Sequence, residues 1–256
     1  MIHYLVLFFT GIVVGAMNAV AGGGMLVGFP VLLAAGLPAL IANATANVVV
    51  LPGNVASVYG YRKYFKRVPK SYLLLVIPAA IGSVIGALAL RHTSFTDFER
   101  YIPFLILFAA VLFAFQPLLF RFIHKHIHGS RNRKSLKPLL YISLAVLPLS
   151  IYGGYFGAGF GFVMLAFLGF TKLHNHIHRM NALKNVITVV IASTSIACLF
   201  SSGLINWKYG IIMGSGNLIG GYSAAVGIQK VSSHYIRILI VVIGIGTAVY
   251  LGLRNY

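Results

Sequence analysis

The chain has 256 residues, 59% hydrophobic and only 9% charged, with twenty Lys and Arg against two Asp and Glu. A soluble domain carries about a quarter charged residues, so this composition excludes a water-facing skin and makes lipid the solvent for most of the surface. The net charge of +18 does not indicate nucleic-acid binding. The basic residues stand in short clusters between apolar runs, and no polar domain is present to read a groove. Such clusters orient a membrane protein and touch anionic lipids at its basic cytoplasmic loops.

The first apolar stretch runs from Tyr4 to Ala21. Ala19-Val-Ala21 imitates a signal-cleavage site, but no Lys or Arg precedes Phe8, so the segment is expected to be retained. Met25 to Leu37, Leu40 to Tyr61, Tyr72 to Leu90 and Tyr101 to Phe120 follow, and then a basic stretch. Five more come after it: Leu139 to Tyr155, Phe160 to Phe170, Asn181 to Gly203, Tyr209 to Ile228 and Tyr235 to Leu253. Most reach the roughly 20 residues that span a bilayer as a helix. The second stretch of each set is too short, and each follows a glycine cluster, Gly22-Gly23-Gly24 or Gly157-Ala-Gly159-Phe-Gly161.

The two sets match in order. Gly22-Gly-Gly24 pairs with Gly157-Ala-Gly159, and Asn43-Ala-Thr-Ala-Asn47 with Asn181-Ala-Leu-Lys-Asn185. Gly82-x-x-x-Gly86 pairs with Gly216-x-x-x-Gly220, and Tyr101-Ile102 with Tyr235-Ile236. The expected fold is all-α: a polytopic helical membrane protein with two repeats of about five segments, each containing one short broken segment. The expected division is residues 1–122, a basic cytoplasmic linker 123–138, and residues 139–256. With ten crossings and the linker inside, sixteen of the twenty Lys and Arg face the cytoplasm, leaving Arg91, Arg100, Lys208 and Arg254 outside. If the short stretches turned back without crossing, the split would worsen to thirteen and seven. An odd number of crossings per copy makes the copies inverted, as in many secondary transporters, with one copy rocking against the other about a midplane site.

Three groups of residues carry possible chemistry. A helix broken inside a membrane exposes backbone groups, which is tolerated where they line a cavity. The positive N-terminus of each short helix then favours an anion there; the alternative is that the glycines serve close packing alone. The Asn-Ala-x-x-Asn runs place Asn43 with Asn47, and Asn181 with Asn185, on one helix face. Their amides either receive a ligand's oxygens or bond neighbouring helices. Lys184, between the second pair, either binds an anion or snorkels to the cytoplasm. The third group is the tracts His124-Lys-His126-Ile-His128 and His174-Asn-His176-Ile-His178. They read as polar loops at headgroup level, and no carboxylate stands near them, so no metal site is assigned.

The only acids, Asp97 and Glu99, fall in a short loop expected outside, and no carboxylate lies within an apolar stretch, where a cation carrier or proton pump would place one. Neither a Walker loop nor a hydrolase motif occurs, so neither an enzyme nor a cofactor is expected. Cys198 is the only cysteine and lies in an apolar run, which rules out a disulfide framework.

Asn18-Ala-Val-Ala-Gly-Gly-Gly24, Pro30, Gly36-Leu-Pro38 and Ala42-Asn-Ala-Thr45 together resemble the start of the TauE/SafE sulfite exporter family. Phe156-Gly-Ala-Gly-Phe-Gly161 and Asn181-Ala-x-Lys-Asn185 resemble its second copy, so the likeness covers essentially the whole chain. The resemblance implies a permease that exports a small oxyanion, sulfite or an organosulfonate, across the inner (plasma) membrane. The expected substrate site is drawn from Asn18, Gly22, Gly23, Gly24, Asn43, Asn47, Gly157, Gly159, Gly161, Asn181, Lys184 and Asn185. The partners expected are a small anionic solute and anionic lipid, with no nucleic acid; a homo-oligomer is compatible. A transition-metal permease using the histidine tracts, or a non-transporting scaffold, are the rivals. The histidine tracts are not part of the family pattern.

Overall fold

A computed structural model describes residues 2–115, 137–169, 171, 173, 176–227 and 233–255. All regular structure among these residues is helical. The elements are α1 (Ile2–Val20), α2 (Met25–Ala34), α3 (Ala39–Gly60), α4 (Arg62–Phe65), α5 (Val76–His92, after a 3-10 turn at Lys70–Leu75), α6 (Phe95–Ala114), α7 (Lys137–Tyr155), α8 (Phe160–Gly169), α9 (Ile177–Leu199), α10 (Trp207–Val226) and α11 (Ser233–Asn255). By length and composition, four described segments can cross a membrane: Ile2–Val20, Ala39–Gly60, Lys70–His92 and Ile177–Leu199. At 10 residues each, α2 and α8 cover only about half of a bilayer.

The side chains are distributed inside out. Ile77, Ile81, Ile85 and Leu88 form an exposed stripe along α5, while Asn43, Asn54, Asn181, Lys184, Asn185 and Asn217 are buried. That pattern suits lipid outside and a polar interior.

Two stretches differ from the sequence expectation. Asp97 and Glu99 lie within α6, which begins six residues before Tyr101. Ser94 supplies the start: its Oγ accepts from the Asp97 amide at 3.1 Å and donates to the Asp97 carboxylate at 2.6 Å, so the acid sits at the positive end of the helix. α9 likewise begins at Ile177 rather than Asn181.

The glycine clusters end helices in the same way twice. The amides of Ala21 and Gly22 both reach Met17 O, and those of Phe156 and Gly157 both reach Tyr152 O. This closure turns the chain through a left-handed residue, Gly22 at φ +83° and Gly157 at φ +74°. Each short helix then doubles back along its predecessor. A β-carbon on Gly24 would stand 2.4 Å from Val14 O, and Tyr209, whose ring meets Tyr4, donates to Ala35 O. The start of α1 and the end of α2 therefore share one end of the protein. The end of α8 lies at the other, where Leu168 and Leu173 pack with Val68 and Tyr72.

The matched glycine pairs do the same work at corresponding places. Gly216 and Gly220 of α10 press on Phe8 O and Ile12 O of α1, where added β-carbons would come within 2.0 and 1.9 Å. Gly82 and Gly86 of α5 press on Leu147 O and Ile151 O of α7, at 2.5 and 2.1 Å. Backbones this close require glycine. The result is two bundles. One hydrophobic cluster joins α5, α7, α8 and α9; the other is built on α1, α2 and α3, with Met213 of α10 and residues of α6 and α11. The second continues across the seam through Ala87 and Leu90 of α5, Phe162, Val163 and Ala166 of α8, and Ala192 and Leu199 of α9. Each bundle mixes helices from both ends of the chain.

Candidate functional site

A cavity of about 50 Å³ lies where the two bundles meet. It has room for a few waters or a small polyatomic ion. Asn18, Gly22 and Met25 line it from the first break, and Gly153, Phe156, Gly157, Phe160 and Gly161 from the second. The middle turns of α3 supply Ala46, Asn47, Val50 and Asn54, and those of α9 supply Lys184, Thr188, Ile191 and Ala192. These are matching turns: residues 46, 50 and 54 stand 138 positions before 184, 188 and 192.

Side chains from one bundle receive the last carbonyls of the broken helix of the other. Asn43 Nδ2 donates to Tyr155 O, at the end of α7, at 2.7 Å. Lys184 Nζ donates to Asn18 O and, at 3.2 Å, to Ala19 O, at the end of α1. Asn185 Nδ2 reaches Ala19 O at 3.4 Å. Helix carboxyl ends carry partial negative charge, so an ammonium there is favoured. Asn18 also holds its own break, with Oδ1 accepting from Gly24 N at 2.8 Å.

Lys184 is 1% exposed, so it does not snorkel. Burying an ammonium costs on the order of several kcal/mol unless carbonyls or charges compensate. Its compensation here comes from backbone carbonyls, and the site presents amides, a hydroxyl and one cation around an apolar rim.

Of the twelve residues expected at the site, six line the cavity: Asn18, Gly22, Asn47, Gly157, Gly161 and Lys184. Asn43 and Asn185 cap broken helices behind it. Gly24 is the amide held by Asn18, and Gly159, at φ +77°, lies against Ala109 of α6. Gly23 and Asn181 are also outside the lining. Asn54 and Thr188 are lining residues that sequence reasoning missed; their only signal is position, two turns beyond Asn47 and one turn beyond Lys184.

The histidine tracts stand apart. His124, His126, His128 and His174 lie outside the described residues. His178 packs its ring 4.7 Å from that of Tyr64 and also faces Tyr61. Among the described residues no group of three metal-ligating side chains occurs.

The model of the sulfite exporter TauE/SafE family matches residues 7–251. The chain belongs to that family. A probable membrane transporter protein of Haemophilus influenzae is 31% identical over 245 residues, covering 93% of this chain and 89% of the relative. A probable membrane transporter protein of a Sinorhizobium species is 27% identical over 96% of this chain and 90% of its own. One from Escherichia coli is 24% identical over 93% and 85%. No solved structure matches significantly. The chain is thus a multi-pass membrane transporter of the TauE/SafE family, and the two glycine breaks that suggested the resemblance are the two that bound its central cavity.

Proposed function

We propose that this protein exports a small oxyanion, sulfite or an organosulfonate, across the cytoplasmic membrane through the cavity between its two glycine breaks. The observation that carries this reading is Lys184, a fully buried lysine with amide neighbours at a cavity between broken helices. The family's name and the lack of carboxylates in the lining agree with an anionic cargo. Amide and ammonium donors, with the N-terminus of α8 entering the cavity at Phe160 and Gly161, would replace the water stripped from the anion.

The chain reads as two inverted copies, residues 1–122 and 139–256, joined by the linker 123–138. The paired glycine crossings and the reciprocal capping by Asn43 and Lys184 support it. Rocking one copy against the other fits the packing poorly, because α1 is sealed to α10 and α5 to α7. The moving bodies are instead the two mixed bundles, with the cavity between them. The end carrying Arg62 to Lys70 and the start of α9 faces the cytoplasm, following the excess of basic residues.

Export of an anion runs with the membrane potential, since each negative charge leaving a negative cytoplasm gains about 2.3 kcal/mol per 100 mV. That supports an outward gradient of about 50-fold for a monovalent ion without a coupling carboxylate. The test is flux of labelled sulfite and a panel of organosulfonates in proteoliposomes, with the potential set by potassium and valinomycin. Flux should rise when the cytoplasm-equivalent side is negative. Flux indifferent to potential but abolished by collapsing a pH gradient overturns the uniport. No anion flux together with zinc or nickel flux makes the protein a metal permease, and no flux of any solute makes it a scaffold.

A further inference from the structure

The two broken helices are capped by different chemistry, and the difference is informative. At the end of α7 the neutral amide of Asn43 is enough to receive Tyr155 O. At the end of α1 an amide is also present, since Asn185 Nδ2 reaches Ala19 O, yet Lys184 is there as well. The residue matching Lys184 on α3 is Ala46, which brings no polar atom. A charge is therefore more than capping requires.

The surroundings of that ammonium are rich in acceptors. Asn18 O and Ala19 O bind it directly. Asn185 Oδ1, on the amide that reaches the same Ala19 carbonyl, is buried with no hydrogen-bond partner. Unwound backbone carbonyls and a helix C-terminus at a break are the ligands with which transporters hold a free alkali cation. Here Lys184 Nζ lies among them, on a fully buried residue that lines the cavity.

We propose that the Lys184 ammonium is a tethered cation occupying the place of a free coupling ion, so that this protein moves its substrate without sodium or potassium. The carbonyl end of α1 holds the charge in position, and the charge faces an incoming anion across the cavity. Only the transport arm of this proposal rests on the anion reading above.

The experiment uses the full chain with Lys184→Ala and Lys184→Met. Lys184→Ala removes three methylenes and the ammonium, the shape of n-propylammonium. In detergent, n-propylammonium or sodium should raise the melting temperature of Lys184→Ala by about 3 °C or more, as expected for a ligand bound only by the folded state. Wild type and Lys184→Met, whose sites are filled, should not respond. In proteoliposomes, wild-type flux should be equal in sodium, potassium and choline. In choline both variants should lose at least about tenfold, and n-propylammonium or sodium should restore only Lys184→Ala. Sodium-dependent wild-type flux overturns the proposal, as does full flux of either variant in choline or a folded Lys184→Ala indifferent to n-propylammonium and sodium. If Lys184→Ala does not fold, a Lys184→Met that retains flux overturns it and one that folds without flux upholds it. A stability response in Lys184→Ala alongside a wild type that moves no anion leaves the tethered cation standing and removes the anion reading instead.

Discussion

Gly22 and Gly161, one from each glycine cluster, touch through their backbones: a β-carbon on Gly22 would lie 2.3 Å from the Gly161 carbonyl carbon. Both glycines line the cavity, at the point where the two bundles meet. Gly22 also needs a positive φ, so two independent constraints act on one position.

The pair predicts a graded result. Gly22→Ala should cost about 3 kcal/mol or more in folded stability, or abolish flux if the fold survives by parting the bundles. Gly36→Ala provides the control, because Gly36 has φ +92° but nothing within 4 Å of an added β-carbon. Its cost should be only about 1 kcal/mol, with flux unchanged. Thermal unfolding in detergent and proteoliposome flux measure both. Equal effects of the two substitutions would remove the close approach as a functional element.

The asparagines should separate by role. Asn47→Leu and Asn54→Leu, at the cavity wall, should each cut flux at least about tenfold and leave the melting temperature near that of wild type. Asn43→Leu, which uncaps Tyr155 O, should lower stability by about 1–2 kcal/mol whatever it does to flux. A stable Asn43→Leu with lost flux would move that residue from capping to binding.

Sidedness is accessible by cysteine labelling in a Cys198→Ser background. Lys66→Cys and His176→Cys should react with an impermeant maleimide from the cytoplasm, and Thr96→Cys and Lys208→Cys from outside. Labelling of positions 66 and 176 from opposite faces would break the shared end inferred from the packing of His178 on Tyr61 and Tyr64.

The histidines should be dispensable for transport. Replacing His124, His126 and His128, or His174, His176 and His178, with Asn should leave flux within about twofold, since metal ligands normally have supporting partners. Loss of the ring contact with Tyr64 should make the second triple less stable, while chelators leave both proteins unaffected. A large loss of flux on chelation would reinstate the metal reading.

Much of this was legible in the residues. Apolar length and the glycine clusters marked the helices and both breaks, because hydrocarbon thickness and left-handed turns leave few alternatives. The Gly82 and Gly216 pairs likewise announced close crossings, though not their partners. The cavity wall was less legible. Asn54 and Thr188 face it because α3 and α9 cross there, and nothing local distinguishes them from Asn217, which is buried elsewhere. The start of α6 is also written locally: Ser94-Phe-Thr-Asp97 has the spacing of a capping box, but its polar residues interrupt the apolar run that marks the rest of the helix.

The seams between α1 and α10, and between α5 and α7, also bear on how the protein is made. Phe8 and Ile12 leave the ribosome about 200 residues before Gly216 and Gly220, the glycines that will cover them, a delay of at least about ten seconds at ordinary synthesis rates. Through that interval the first helix sits in the bilayer with its eventual contact face against lipid or an insertion factor. Residues 1–122 made alone would carry that open face permanently, and should be degraded or captured by other helices. Supplied together with residues 139–256 in one cell, they should assemble into working transporter.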